Sequence, residues 1–504
     1  MLFHSPEFVF GFLPITLTGF FLLARFGQKL ALAWLTLASL VFYGWSNPAW
    51  LPLIAGSIAF NYTAGRDISS RAKAAARGSP PPLSAGLMLA LAVGVNLVML
   101  GYFKYAAFFW NTLGALGAGS APWHGPELPL GISFFTFTQI AFLVDAWRRQ
   151  AEDRDFVRYG LFVTYYPHLV AGPILHHAEM MPQFARPDVF RFDAGRVADG
   201  TVIFVLGLFK KTVLADAFGG YAAPAFAAAA TQPVGFFESW SAALSYTLQI
   251  YFDFSGYSDM AIGLGLMIGV RLPMNFNSPY KARDIADFWR RWHMTLSRFL
   301  RDYLYIPLGG NRRGAARQQI NLMLTMLLGG LWHGAGWNFV VWGGLHGVYL
   351  MAFHGWRRAH ERLQPRPARW AAARRMLAWL LTFLAVVVAW VFFRAPDLPS
   401  AVAMLAGMAG VNGAVLPDQL LAVAPALAHL AQGAGKVPLL ADGSVMGAVE
   451  MFAMLVAGMA IVLLAPNVAQ LRQRTRYALM LPCAALALQR VIYGASSEFL
   501  YFRF

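Results

Sequence analysis

Two histidines stand out in an otherwise apolar chain: His293, within "FWRRWHMTLSRFLRDYLYIPLGGNRRG", and His333, within "LWHGAGWNFVVWGGLHG". Imidazole is the side chain that exchanges a proton near neutral pH, with an unperturbed pKa of ~6.5. An ionisable group at membrane depth is costly and usually faces a protein interior or a water-filled cavity. Arg290, Arg291, Arg298 and Arg301 crowd around His293, and planar guanidinium forks match phosphate oxygens. The chemistry on offer is proton transfer beside an anion site. For the arginines two readings stand side by side, an anionic cytosolic ligand or the phosphates of membrane lipid. For His333, and still more for His346, the competing reading is a hydrogen-bonded core residue. Gly329, Gly330, Gly334 and Gly336 flank His333 and let backbone or substrate approach it closely.

The spacing predicts the element that carries His293. Asp284 is placed to cap a helix, with Asp287 in a capping-box-like position. Phe288, Trp292, Leu296, Phe299 and Tyr303 then share one face of a continuous helix, and Arg290, His293, Ser297 and Arg301 lie along another. Arg298 and Asp302 are spaced for an i, i+4 pair beside them. Such a helix is amphipathic and too polar to span a bilayer. His333 heads an apolar helix pair.

Composition sets the surroundings. The chain has 504 residues, 58% of them hydrophobic and 13% charged, with a mean hydropathy of +0.51. That is more apolar surface than a soluble domain can hide, and apolar runs near the bilayer-spanning length of ~20 residues recur throughout. The expectation is an all-α polytopic membrane protein. Its first apolar run has no cation before Arg25 and no small-residue cleavage site, so it reads as a retained span. The single cysteine, Cys483, excludes an internal disulfide and a thiolate metal cluster. His176 and His177 lack partners at ligand spacing, and no metal site is expected.

The net charge of +16 does not imply nucleic acid. Its cations gather in short connections at 65–78, 147–158, 354–375 and 467–477, while 107–127 and 400–447 are nearly free of them. This is the positive-inside pattern, with basic loops in the cytoplasm. Pro- and Gly-rich segments between about 160 and 350 are expected to line a cavity, since irregular backbone survives at membrane depth only there. No internal repeat or low-complexity linker divides the chain, so residues 1–504 read as one membrane domain.

The stretch from "YTLQIYFDFSGYSDMAIG" through "NFNSPYKARDIADFWRRWHMTLSRFLRDYLYIPLGGNRRG" to "LWHGAGWNFVVWGGLHG" resembles the membrane-bound O-acyltransferase superfamily. More narrowly it is similar to the bacterial branch concerned with alginate O-acetylation and teichoic acid D-alanylation. "MLFHSPEFVFGFLPI", "LPLGISFFTFTQIAFLVDAW", "FVTYYPHLVAGPI" and "EFLYFRF" extend the likeness over nearly the whole chain. Gly336 departs from it, standing where the family more often has Asn or Ser.

The resemblance implies a disc of about eleven transmembrane helices, with re-entrant and interfacial helices around a central funnel. His333 matches the family's invariant histidine and is the implied general base, taking a proton from a hydroxyl as it attacks a thioester carbonyl. His293 matches the partner polar position, with Asn275, Asn277, Ser297 and Asp302 as polar support. Arg290, Arg291, Arg298 and Arg301 then face the phosphates of a donor such as acetyl-CoA or another acyl thioester, with no bound cofactor. The implied setting is the bacterial inner membrane, with an exopolysaccharide of the alginate type as acceptor, reached directly or through a periplasmic acetyltransferase. D-alanyl transfer to teichoic acid and O-acetylation of cellulose or peptidoglycan are the alternatives within the class. A transporter using His293 and His333 as a proton relay is the alternative outside it.

Overall fold

The computed structural model describes residues 1–79, 81–118, 121–151, 155–360, 370–417, 421, 425, 433–435, 445–494 and 499–500. Helices dominate; two short strands, Val415–Pro417 and Gly433–Gly435, pair in parallel. Four of the described helices are long and apolar enough to cross a membrane: Glu7–Ala24, Ala85–Gly117, Ala371–Arg394 and Met446–Leu464. The chain is an all-α, multi-pass membrane protein.

Two compact units make up the chain. The first comprises Met1–Phe209, Gly256–Asn275 and Arg472–Phe504. Here apolar helices meet through small residues and paired amides, since packing and hydrogen bonding hold helices together where lipid removes the hydrophobic drive. Leu51–Ala76 and Ala85–Leu100 are joined by Asn61 and Asn96, whose buried side chains exchange amide hydrogen bonds of 3.1 and 2.7 Å. Helix Ala194–Phe209 touches the 256–268 segment backbone to backbone: a Cβ on Gly200 would sit 2.7 Å from the Gly263 carbonyl oxygen, and one on Gly207 would sit 2.6 Å from that of Gly256.

The second unit, Lys210–Ser255 and Phe276–Leu471, contains both histidines of interest. Helices Gly314–His333 and Trp337–His360 form a close hairpin. A Cβ on Gly330 would fall 2.3 Å from the Phe339 carbonyl oxygen, and one on Gly343 would fall 2.3 Å from that of Met326. No larger residue fits without separating the helices. Ala371–Arg394 packs on the hairpin, and Asn338 donates to the carbonyl of Ala395, 2.9 Å away, at that helix's C-terminal end.

A buried ion cluster anchors the other half of this unit. Lys211 Nζ lies 2.8 Å from Asp216 Oδ1 and 2.9 Å from Asp253 Oδ1, with the Lys211 and Asp253 side chains almost wholly enclosed. Lys211 sits in a π-helical turn, Lys210–Ala215, that interrupts the run of α-helix, a feature common at functional positions.

Removing one member of a buried pair strands the other charge, whereas removing both does not. Lys211→Met should therefore destabilise by ~3–5 kcal/mol. Asp253→Asn should cost less, because Asp216 still holds the lysine. The double variant Lys211→Met/Asp253→Asn should recover much of the loss. Thermal melting of the detergent-solubilised protein reads all three, and simple additivity of the single losses would show that the pair is not coupled.

Candidate active site

The segment around His293 is not the continuous helix that the apolar spacing predicts. Asp284 does cap a helix, accepting from the Asp287 amide at 2.7 Å, but that helix, Ile285–Arg291, closes at Trp292. His293 then takes a left-handed conformation, φ 42° and ψ 55°, and a second helix runs Met294–Leu300. A left-handed backbone at a non-glycine residue carries strain and persists only where the surroundings enforce it. Those surroundings are aromatic. The Trp292 ring stacks on Phe288 at 5.7 Å, meets Phe276 edge-on at 5.0 Å and lies 4.9 Å from Trp390. The break turns His293 inward, away from the exposed Arg290 and Arg301 with which a single helix would align it, and leaves its side chain with no solvent exposure. Phe288, Trp292, Leu296 and Phe299 are buried as the spacing anticipates.

His333 closes its helix, and the chain reverses in extended backbone at Gly334. A Cβ there would come within 2.2 Å of the Phe339 ring, so the turn requires glycine. At Gly336 a Cβ would meet Asn338 Oδ1 at 2.4 Å, in the way of the amide that ties the hairpin to Ala395.

The two imidazoles lie 6.4 Å apart between ring centres, inclined at 57°. Phe254 stands edge-on to His293 at 4.7 Å. Trp332, Trp342 and Phe393 enclose His333 at 4.9, 5.0 and 5.2 Å. The two imidazoles are thus buried near one another among aromatic rings. Among the described residues no cluster of three His, Cys, Asp or Glu side chains can hold a metal ion.

Other candidates occupy distinct places. Ser297 donates to the Trp292 carbonyl at 3.4 Å, bracing the helix break. Asn277 pairs its backbone amide with the Arg291 carbonyl at 2.9 Å, and its side chain accepts from Gln470 at 3.2 Å. Asn275 belongs to the first unit, where it is buried and donates to Ser258 at 3.4 Å. Asp302 accepts from Arg301 at 2.7 and 3.1 Å. That hydrogen bond raises the guanidinium's pKa. Arg291 pairs with Asp287 at 2.9 Å, while Arg290 is largely exposed and reaches Asp284 only at 4.0 Å.

Sequence reasoning missed two things. Asp253, bound to Lys211, immediately precedes Phe254, whose ring packs on His293; the signal was a lysine pair and a lone aspartate inside apolar runs. The other is the partner of His346: this residue is buried and hydrogen-bonded, as the core reading expects, and its Nδ1 accepts from the Trp289 indole at 3.3 Å. Indole is a donor only, so the neutral ring is protonated at Nε2. The bond ties the Ile285–Arg291 helix to Trp337–His360, and Trp342 stands edge-on to both His333 and His346.

Comparison with known proteins bears on this geometry. Residues 130–393 match MBOAT, the membrane-bound O-acyltransferase family. The chain is 42% identical to the peptidoglycan O-acetyltransferase of Helicobacter pylori, over 82% of this chain and 81% of that protein. It is 42% identical to the probable alginate O-acetylase AlgI of Pseudomonas putida, over 81% and 80% respectively. It is 28% identical to the teichoic acid D-alanyltransferase of Streptococcus thermophilus, over 52% of this chain and 68% of that protein.

Asparagine tolerates a left-handed backbone and a β-branched residue does not. His293→Asn should thus melt near wild type, whereas His293→Val should lose on the order of 1–3 kcal/mol. Equal melting of the two would mean that the break does not depend on the residue at 293.

Proposed function

Because the chain belongs to the membrane-bound O-acyltransferase family, we propose that it moves acetyl groups from a cytosolic thioester to hydroxyls of an exported polysaccharide, directly or through a periplasmic transferase. The protein is an acyltransferase of the bacterial inner membrane. The observation that carries the chemistry is the enclosed pair of imidazoles, 6.4 Å apart. His333 takes the proton of the acceptor hydroxyl as its oxygen attacks the thioester carbonyl. His293, in its neutral form, donates a hydrogen bond to the carbonyl oxygen as negative charge develops there. The carbon–sulfur bond breaks, an ester forms, and the proton held by His333 passes to the departing thiolate. The products are an ester and a free thiol.

Acetyl-CoA is the donor this reading favours. The exposed Arg290 and the basic surface of the two short helices offer guanidinium groups to its phosphates. Arg291 and Arg301, already paired with Asp287 and Asp302, are less available. Acetyl is favoured over D-alanyl because the O-acetyl relatives match at 42% over four-fifths of the chain, while the D-alanyl relative matches at 28% over half.

His333→Gln should remain folded and lose glycan acetylation by ~10²-fold or more, since an amide cannot take the hydroxyl proton at neutral pH. Acetyl ester content of the exported polymer, measured alongside the protein's melting temperature, decides it; ester near wild type would remove His333 as the base.

A further inference from the structure

We infer that a groove at the end of the first membrane-spanning helix is a binding site for an anionic phospholipid. The groove encloses about 590 Å³ and lies wholly within the first unit. Its walls include Leu17, Phe21 and Leu22 from the helix end and Phe192 from the 190–192 strap, and Arg25 and Arg191 line it as well. Phe20 stacks on Phe190 at 5.9 Å and Phe21 meets Phe192 edge-on at 5.4 Å. Arg191 sits between the buried Phe190 and the largely exposed Phe192 and lines the same groove as Arg25.

The charge balance there is one-sided. Nearby carboxylates are taken by other arginines: Asp188 pairs with Arg186 and Arg196, and Asp193 with Arg196. Among the described residues neither Arg25 nor Arg191 has a carboxylate partner, and no acidic side chain lines the groove. Arg25 follows directly on the Glu7–Ala24 span, which puts it at the depth where a helix leaves hydrocarbon and meets phosphate head groups. Acyl chains then run along Leu17, Phe21 and Leu22, with the phosphate between the two guanidiniums. A zwitterionic lipid brings its own cation to a site that already holds two; a phospholipid with net negative charge does not.

The test titrates the purified full chain in detergent with phosphatidylglycerol or phosphatidylcholine and counts bound lipid by native mass spectrometry. Phosphatidylglycerol should bind preferentially. Arg25→Ala/Arg191→Ala should weaken that preference by roughly thirtyfold, at about fivefold per arginine. Arg25→Lys/Arg191→Lys should keep most of it, and Arg77→Ala/Arg375→Ala, which removes basic-loop arginines outside the groove, should leave it unchanged. Inorganic phosphate at millimolar levels should not displace the lipid, because the acyl chains supply much of the binding. Equal binding of both lipids, an alanine pair that behaves like wild type, or displacement by free phosphate would each overturn the inference. A melting temperature for every variant separates lost binding from lost fold.

Discussion

Backbone contact at Gly330 and Gly343 sets the position of His333 in the second unit. Helices this close have no room for a side chain at the crossing, so the hairpin cannot slide without collision between backbones. The Asn338 amide then fixes the hairpin's turn to the end of Ala371–Arg394. His333 is the last residue of the first arm, so it inherits the rigidity of both constraints. A side chain held this way needs no loop to bring it into place.

The partner imidazole is placed by a different device. Burial of Phe288 and Trp292 against Trp390, Tyr280 and Phe276 leaves the chain between the two short helices only one way to continue, through a left-handed residue. That strain is stored at His293, and such strain is common at functional residues. The Lys211–Asp253 pair adds a third constraint, since it fixes the stretch of helix that carries Phe254 against His293. Burying these charges has a desolvation cost that is offset only while the cluster stays intact.

The sequence disclosed the class of protein and both imidazoles, because charge in an oily chain is conspicuous and its location is informative. It also disclosed the Asp284 cap and the buried face from Phe288 to Phe299. It did not disclose the break at Trp292–His293: the apolar residues keep helical spacing across it, so periodicity reads straight through. Partners remote in sequence were hidden for the same reason that they matter. Lys211 with Asp253, and Trp289 with His346, are joined only by the fold. Proximity in sequence misled in the other direction. Ser297 and Asn277 lie near the histidines along the chain, yet their hydrogen bonds go to the Trp292 carbonyl and to Arg291 and Gln470. Local backbone demand, not the imidazoles, claims those groups.

The central claim is that an acyl group passes from sulfur to oxygen at this site, and stoichiometry tests it most directly. Purified protein in vesicles, given radiolabelled acetyl-CoA on the face bearing the basic loops and a polysaccharide acceptor on the other, should release one free thiol for each acetyl ester formed. Thiol and ester should rise together and stop together when acceptor is withheld. Intact acetyl-CoA beside an active protein, or thiol release unaccompanied by ester, would contradict the account.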